Sequence, residues 1–342
     1  MTMKKLIFLP LLFWSVFVFA QRSIAVQNNG TAGFYTDWAT AWQNTQAGDT
    51  IYLPGATFST GNIDIDKPIT IIGVGHDTAY VHNRLFSYLN GTIRLLKGAD
   101  GTTLHGFRFG SLLIGTNATN DSVENITISR CRWSGTVKLG YSKPSPAKQI
   151  TITECAGGTI DGMNATEVWI TKNMIPNNVS NFNNQVFFYN NIFPRHTVQF
   201  QWISYAIFRN NIFGVNEYPF YYLSVCERNE FKNNIFRVNL TIDPQTDLNF
   251  WEGNFFNQPL DNNLVNFVST DYLSTNDYHL KEGSVGIGAG TDGFDIGIYG
   301  TAIPYKEGAV PFTPRIVEET VSKQTDAEGK ISVKVKVEAQ ER

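Results

Sequence analysis

The side chains best suited to chemistry in this 342-residue chain lie close together. Arg209 and Lys232 stand 23 residues apart, each two positions before an asparagine that recurs at that spacing, Asn211 and Asn234. Tyr189 and Glu252 hold the same phase on either side. Two cations about 5 Å apart repel by roughly 1 kcal/mol even in water, unless an anion uses both. A uronic-acid carboxylate is such an anion. Arg195, His196 and the rings of Trp202, Tyr205, Tyr218, Tyr221 and Tyr222 lie in the same stretch. Sugar-binding grooves combine such groups, because the C–H faces of sugars stack on aromatic rings. The expected ligand-binding set is therefore Arg195, His196, Arg209, Tyr218, Tyr221, Tyr222 and Lys232, and the expected partner is an acidic polysaccharide. Two plainer readings compete. Some of the rings must face inward, and Glu252 could neutralise Lys232 without any ligand. If both cations are already paired inside the protein, this site is lost.

Other chemistries find less support. The five histidines are scattered and show neither a Ser-His-Asp order nor metal-ligand spacing. Asp292 and Asp295 are the one tight acidic pair near a turn, so no metal and no cofactor are expected. No catalytic residue can be assigned. A formal net charge of -3 argues against a nucleic-acid partner, which needs a basic surface. Hydrophobic residues at 42% against charged residues at 17% indicate a globular chain. Cys131, Cys155 and Cys226 are too few for a disulfide framework; the first two share a phase and are expected as stacked free thiols.

The elements that must position these groups follow from a repeat. Asn173, Asn191, Asn211, Asn234 and Asn254 recur at steps of 18, 20, 23 and 20, three of them within the string Asn-Asn-Ile-Phe. Cys155, Cys131, Phe107 and Val74 hold the equivalent slot upstream. Steps this short exclude helix-pair repeats. The segments entering the slot, such as 126–128 and 150–152, are β-branched with a period of two, and polar turns separate them. The fold class is all-β, a solenoid of parallel strands in which like residues stack. Each slot asparagine should face inward and bond its neighbours, with the phenylalanine two residues later stacking in the core.

The ends read differently. Lys4 and Lys5, the apolar run 6–19 and the small residues at 18–20 predict a signal peptide over 1–20. The protein is then secreted, extracellular or periplasmic, with no membrane span, and a monomer is expected. The string YTDWATAWQ predicts a capping helix that starts from Thr36 and buries Trp38, Ala41 and Trp42. Residues 301–342 read as a proline-rich exit and a C-terminal β-hairpin with one buried face, either covering the last repeat or forming a separate module. The polar strings GTNATND and YSKPSPAKQ project from one corner and should wall a cleft facing residues 189–232.

The helix, GDTIYLPGATF, KPITIIGVG and GSVGIGAGTDGFDIGIYG together resemble secreted bacterial right-handed parallel β-helix proteins of the pectate-lyase-like superfamily. The resemblance spans roughly residues 30–300 and implies that fold over 21–300, with the last glycine-rich string as a terminal cap. It is nearly silent on activity, since the superfamily holds lyases, hydrolases, esterases and non-enzymes. GGTIDG, residues 157–162, is similar to a string in polygalacturonases, but their paired Asp residues, Gly-His-Gly and Arg-x-Lys are missing. Asp161 alone cannot supply two carboxylates and is expected in a turn. Three functions stay open: polysaccharide binding, a non-catalytic structural or adhesive spacer, and a polysaccharide lyase, which fits better than a glycoside hydrolase.

Overall fold

The computed structural model describes residues 23–28, 30–81, 85–115, 122–141, 147–163, 165–197, 199–217, 226–242, 247–312, 314–322 and 324–339. The expected signal peptide lies outside them. With 42% strand and 5% helix, the protein is all-β.

Ten short strands, from Thr50–Tyr52 to Phe250–Glu252, pair in chain order as neighbours in one long parallel sheet. Two strands, Ile24–Asn28 and Thr31–Tyr35, extend its first edge in antiparallel fashion. Between successive strands of this sheet the chain crosses to a seven-stranded sheet or, later, to a three-stranded one. Each strand thus pairs with its counterpart one repeat away. The regular stacking is compatible with a parallel β-helix.

Register explains the repeated letters. Leu104, Ile128, Ile152, Ile170, Phe188, Phe208, Phe231 and Trp251 form one column across the long sheet. Phe188, Phe208 and Phe231 stack at 4.6 and 4.7 Å, close to the strand spacing itself. The slot asparagines are bonded in series. The amide N and Nδ2 of Asn191 both donate to Asn211 Oδ1, at 2.9 and 3.0 Å. Asn211 repeats this toward Asn234, and Asn234 toward Asn254. Asn173, Asn191, Asn211 and Asn234 are wholly buried. The expected inward column is present.

Each letter of Asn-Asn-Ile-Phe has its own task. The first asparagine turns the corner with positive φ, 57° at Asn190 and 58° at Asn210, which asparagine tolerates better than most residues. The second makes the ladder. The phenylalanine enters the main core, where Phe193, Phe213 and Phe236 are fully buried. The isoleucine points the other way. Ile192, Ile212 and Ile235 are equally buried, but in a second core with Ala156, Met174, Leu260, Leu264, Tyr272, Ile296 and Ile298.

Residues 289–312 complete that second core, and they run backwards along the stack. Ala289 O accepts from Asn233 Nδ2, Gly297 O from Asn190 Nδ2 and Ile303 O from Lys172 Nζ. Val310 O accepts from Arg130, and Phe312 stacks on His105 at 6.4 Å. The glycine-rich string is therefore a flank covering, not the terminal cap that the resemblance implied. Gly297, at φ 96°, lies so close that a Cβ there would meet Ile212 Cδ1 at 2.9 Å.

The short helix Trp38–Gln43 buries Trp38 and Ala41 as expected, while Trp42 is only partly buried. Its cap is Asp37, not Thr36: Asp37 Oδ1 accepts from Thr40 N at 2.8 Å, the three-residue reach that a cap requires. Strands Arg315–Val321 and Val333–Glu338 form the expected antiparallel hairpin. Its face is not buried, since Val333, Val335 and Val337 are 58%, 48% and 56% exposed. The chain enters this hairpin just after Phe312, beside an early repeat, so it leaves at the wrong place to cover the last one. Cys131, Cys155 and Cys226 are buried and not joined in disulfides, and Cys131 N donates to Cys155 Sγ at 3.4 Å. Burial pushes the Cys131 thiol up to about 12.

Candidate functional site

Arg209 and Lys232 are in register on adjacent strands, as the spacing predicts. They are not free. Arg209 Nε donates to Glu230 Oε1 at 2.7 Å, and this bond is the main cause that raises the Arg209 pKa. Lys232 Nζ donates to Glu252 Oε2 at 2.9 Å. Alternating acids on the same face therefore answer the repulsion that was to draw in a ligand. Both residues are corrected to ladder members. Arg195 donates from Nη1 to Asn178 Oδ1 at 2.8 Å. Tyr218, Tyr221 and Tyr222 lie outside the described residues, as does most of each loop expected to wall the cleft. Trp202 and Tyr205 do face solvent, and Tyr205 accepts from Arg228 at 2.7 Å.

The column one position before the slot is also a ladder, and a buried one. Glu154 sits between Arg130 at 2.7 Å and Lys172 at 2.9 Å, with the three side chains 7%, 2% and 14% exposed. Elsewhere on the long sheet's outer face, Thr103, Thr127 and Thr151 are in register. Asp292 and Asp295 accept hydrogen bonds from nearby backbone, as turn residues do, whereas Asp161 ends the strand Ala156–Asp161 rather than standing in a turn, and accepts from Met163 N.

Of the described members of the predicted set, His196 lines a cleft. With Arg237, Leu260, Asp261, Phe267, Val268, Ser269 and Thr270 it lines an open depression between the stack and the segment that follows the last strand. Burial, then Arg237, lowers its pKa. Arg237 Nη1 is buried and has no hydrogen-bond partner among the described residues. An unpartnered guanidinium N–H beside a neutral imidazole, two hydroxyls and apolar walls can hold a carboxylate on a sugar ring. Arg237 could have been noticed in the sequence, since it directly follows the slot's phenylalanine.

A second cationic cluster was also missed. Arg108 and Arg132 directly follow the slot residues Phe107 and Cys131, and are in register on adjacent strands. Neither forms an ion pair among the described residues. Nearby, Tyr80, Tyr272, Tyr278, Tyr299 and Tyr305 surround a small cavity, and burial raises all five hydroxyls above their ordinary range. They remain protonated at neutral pH and act as packing and donors, not as bases.

His76 is wholly buried, and burial, then Arg132 and Arg108, pulls its pKa from 6.5 to about 3. The folded state thus holds a neutral ring that the unfolded chain protonates first. The resulting stability is complete above pH 6.5 and is lost as pH falls from there toward 3. His105, lowered to about 4 by burial and then Arg130, acts in the same direction. His76 alone should make the protein about 2 kcal/mol less stable at pH 5 than at pH 7. Urea unfolding at the two pH values measures this, and His76→Leu should remove that part of the difference.

Among the described residues no group of three or more His, Cys, Asp or Glu is placed to hold a metal, and no helix is long and apolar enough to cross a membrane. No protein-family model, curated protein or solved structure matches this chain.

Proposed function

We propose that the protein is an exported right-handed parallel β-helix of the pectate-lyase-like kind that binds an acidic polysaccharide. Residues 1–20 would be removed on export, and the short helix would cover the first repeat. The in-register parallel strands and the asparagine ladder support the fold. One observation carries the function: Arg237, whose Nη1 has no hydrogen-bond partner among the described residues, lines a cleft with His196, apolar walls, hydroxyls and a single acid, Asp261. A polymer with regularly spaced carboxylates suits such a cleft on the flank of an elongated stack. Cleavage is not part of this proposal.

The test is retention of polygalacturonate and alginate, with a neutral glucan as control. Wild type should bind the polyanions, and Arg237→Gln should weaken binding roughly tenfold, the loss of one charge-assisted hydrogen bond. Equal binding by the variant removes the cleft from consideration. A rise in the ultraviolet absorbance of unsaturated uronides would establish a lyase instead. If no glycan is retained, the spacer reading takes over. It has its own support, since the Arg209–Glu230 and Lys232–Glu252 pairs close the outer face of the later repeats.

A further inference from the structure

We propose that Arg108, Arg132 and Tyr272, with His76 beneath them, form a binding site for a small oxyanion such as a carboxylate, sulfate or phosphate. This site is separate from the His196–Arg237 cleft and does not depend on it.

The two guanidinium groups project from equivalent positions of adjacent parallel strands, about 5 Å apart at the backbone. Each is held flat by a ring: Arg108 lies 3.7 Å from the centre of Phe86, and Arg132 lies 4.9 Å from that of Tyr272. Arg108 Nε is committed to His76 O at 2.6 Å, which fixes the plane and leaves its two terminal nitrogens. The Arg132 guanidinium donates no hydrogen bond among the described residues, although its backbone N donates to Phe107 O. Two oriented forks, one strand apart, are the arrangement that bidentate recognition of an oxyanion requires.

The surroundings neutralise only part of this charge. Asp77 is the nearby carboxylate, and it also accepts from Ala79 N at 2.9 Å and from the Tyr272 hydroxyl. One carboxylate against two guanidiniums leaves an excess of one positive charge in a half-buried place. His76 supplies the second indication. It is wholly buried, its ring stands edge-on to Tyr272 at 5.6 Å, and neither ring nitrogen has a partner among the described residues. A buried polar group without a partner is costly, which marks this place as one whose hydrogen bonding is incomplete among the described residues. Tyr88 and Tyr278 are the other titratable groups near the pair.

Calorimetric titration of the full chain with sodium sulfate, sodium phosphate and sodium galacturonate, at ionic strength matched with sodium chloride, tests the site. Saturable binding of at least one is expected. Arg132→Gln should weaken it tenfold or more. Arg94→Gln, which touches only the exposed pair with Asp64, should leave it unchanged. Arg132 is the better target because Arg108 also holds the His76 carbonyl. Tighter galacturonate than sulfate would identify a sugar acid, and the reverse an inorganic oxyanion; either upholds the site. Absence of saturable binding for all three, or undiminished binding in the Arg132 variant, overturns it. Arg237→Gln should not affect this titration, so failure here and failure of the cleft remain distinguishable.

Discussion

Asn211→Ala should cost about 3–5 kcal/mol of stability, because several buried groups lose their partners at ~1–3 kcal/mol each. Asn211 Oδ1 accepts from the N and Nδ2 of Asn191, while its own Nδ2 donates to Phe188 O and Asn234 Oδ1. All four sit where water cannot replace the lost bonds. A cavity among stacked phenylalanines adds to the cost. Asn254 lies at the end of the ladder and is only partly buried, so Asn254→Ala should cost roughly half as much. Urea midpoints for the two variants measure the contrast. Equal and small losses would mean that ring stacking, not the ladder, holds the repeats in register.

Glu154→Ala is the second large loss, again about 3–5 kcal/mol, because it leaves two buried cations without their shared acid. Arg130 and Lys172 do more than balance that charge. Each donates to a carbonyl of the returning segment, at Val310 and Ile303. Without Glu154 both would turn toward water, and residues 303–312 should loosen before the stack melts. Limited proteolysis should then cut near Pro304–Gly308 in the variant while wild type resists. Lys172→Met should be much milder, since it leaves the Arg130–Glu154 pair intact. Comparable proteolysis of both chains would show that the apolar second core alone secures the segment.

How much of this was legible depends on whether like sits above like. The stacked parallel strands could be read because Asn173 to Asn254 and the isoleucines at 126, 128, 150 and 152 recur at near-constant steps, and stacking rewards identical neighbours. The Arg130–Glu154–Lys172 ladder could be read from its alternating sign. The second core could not be read. Ile192, Ile212 and Ile235 are as regular as their phenylalanines, but nothing local reveals that residues more than 60 positions later cover them, as Ile296 does. The exposed hairpin failed for a related reason: strict alternation of valine with lysine shows which residues share a face, not whether any layer meets it. In the candidate site, Arg209 misled because its acid, Glu230, lies two residues before Lys232 and outside the column compared, whereas Glu252, visible in that column, does neutralise Lys232. Arg237, Arg108 and Arg132 were missed because no string marks a cation as unpaired.

The backward course of residues 289–312 also bears on the order of events during synthesis. Ladder bonds join residues 18 to 23 apart, so each repeat can add to the one before it soon after it emerges. The flank contacts span 107, 131 and 180 residues. Until residues 289–298 arrive, the isoleucine column is only partly covered and stands open to other chains. Closing loops of that length adds little entropy cost over shorter ones, but the wait itself is fixed by chain length. A polypeptide interrupted before residue 289 would carry a complete ladder beside an apolar stripe that lacks Ile296 and Ile298, the kind of species that cellular quality control removes.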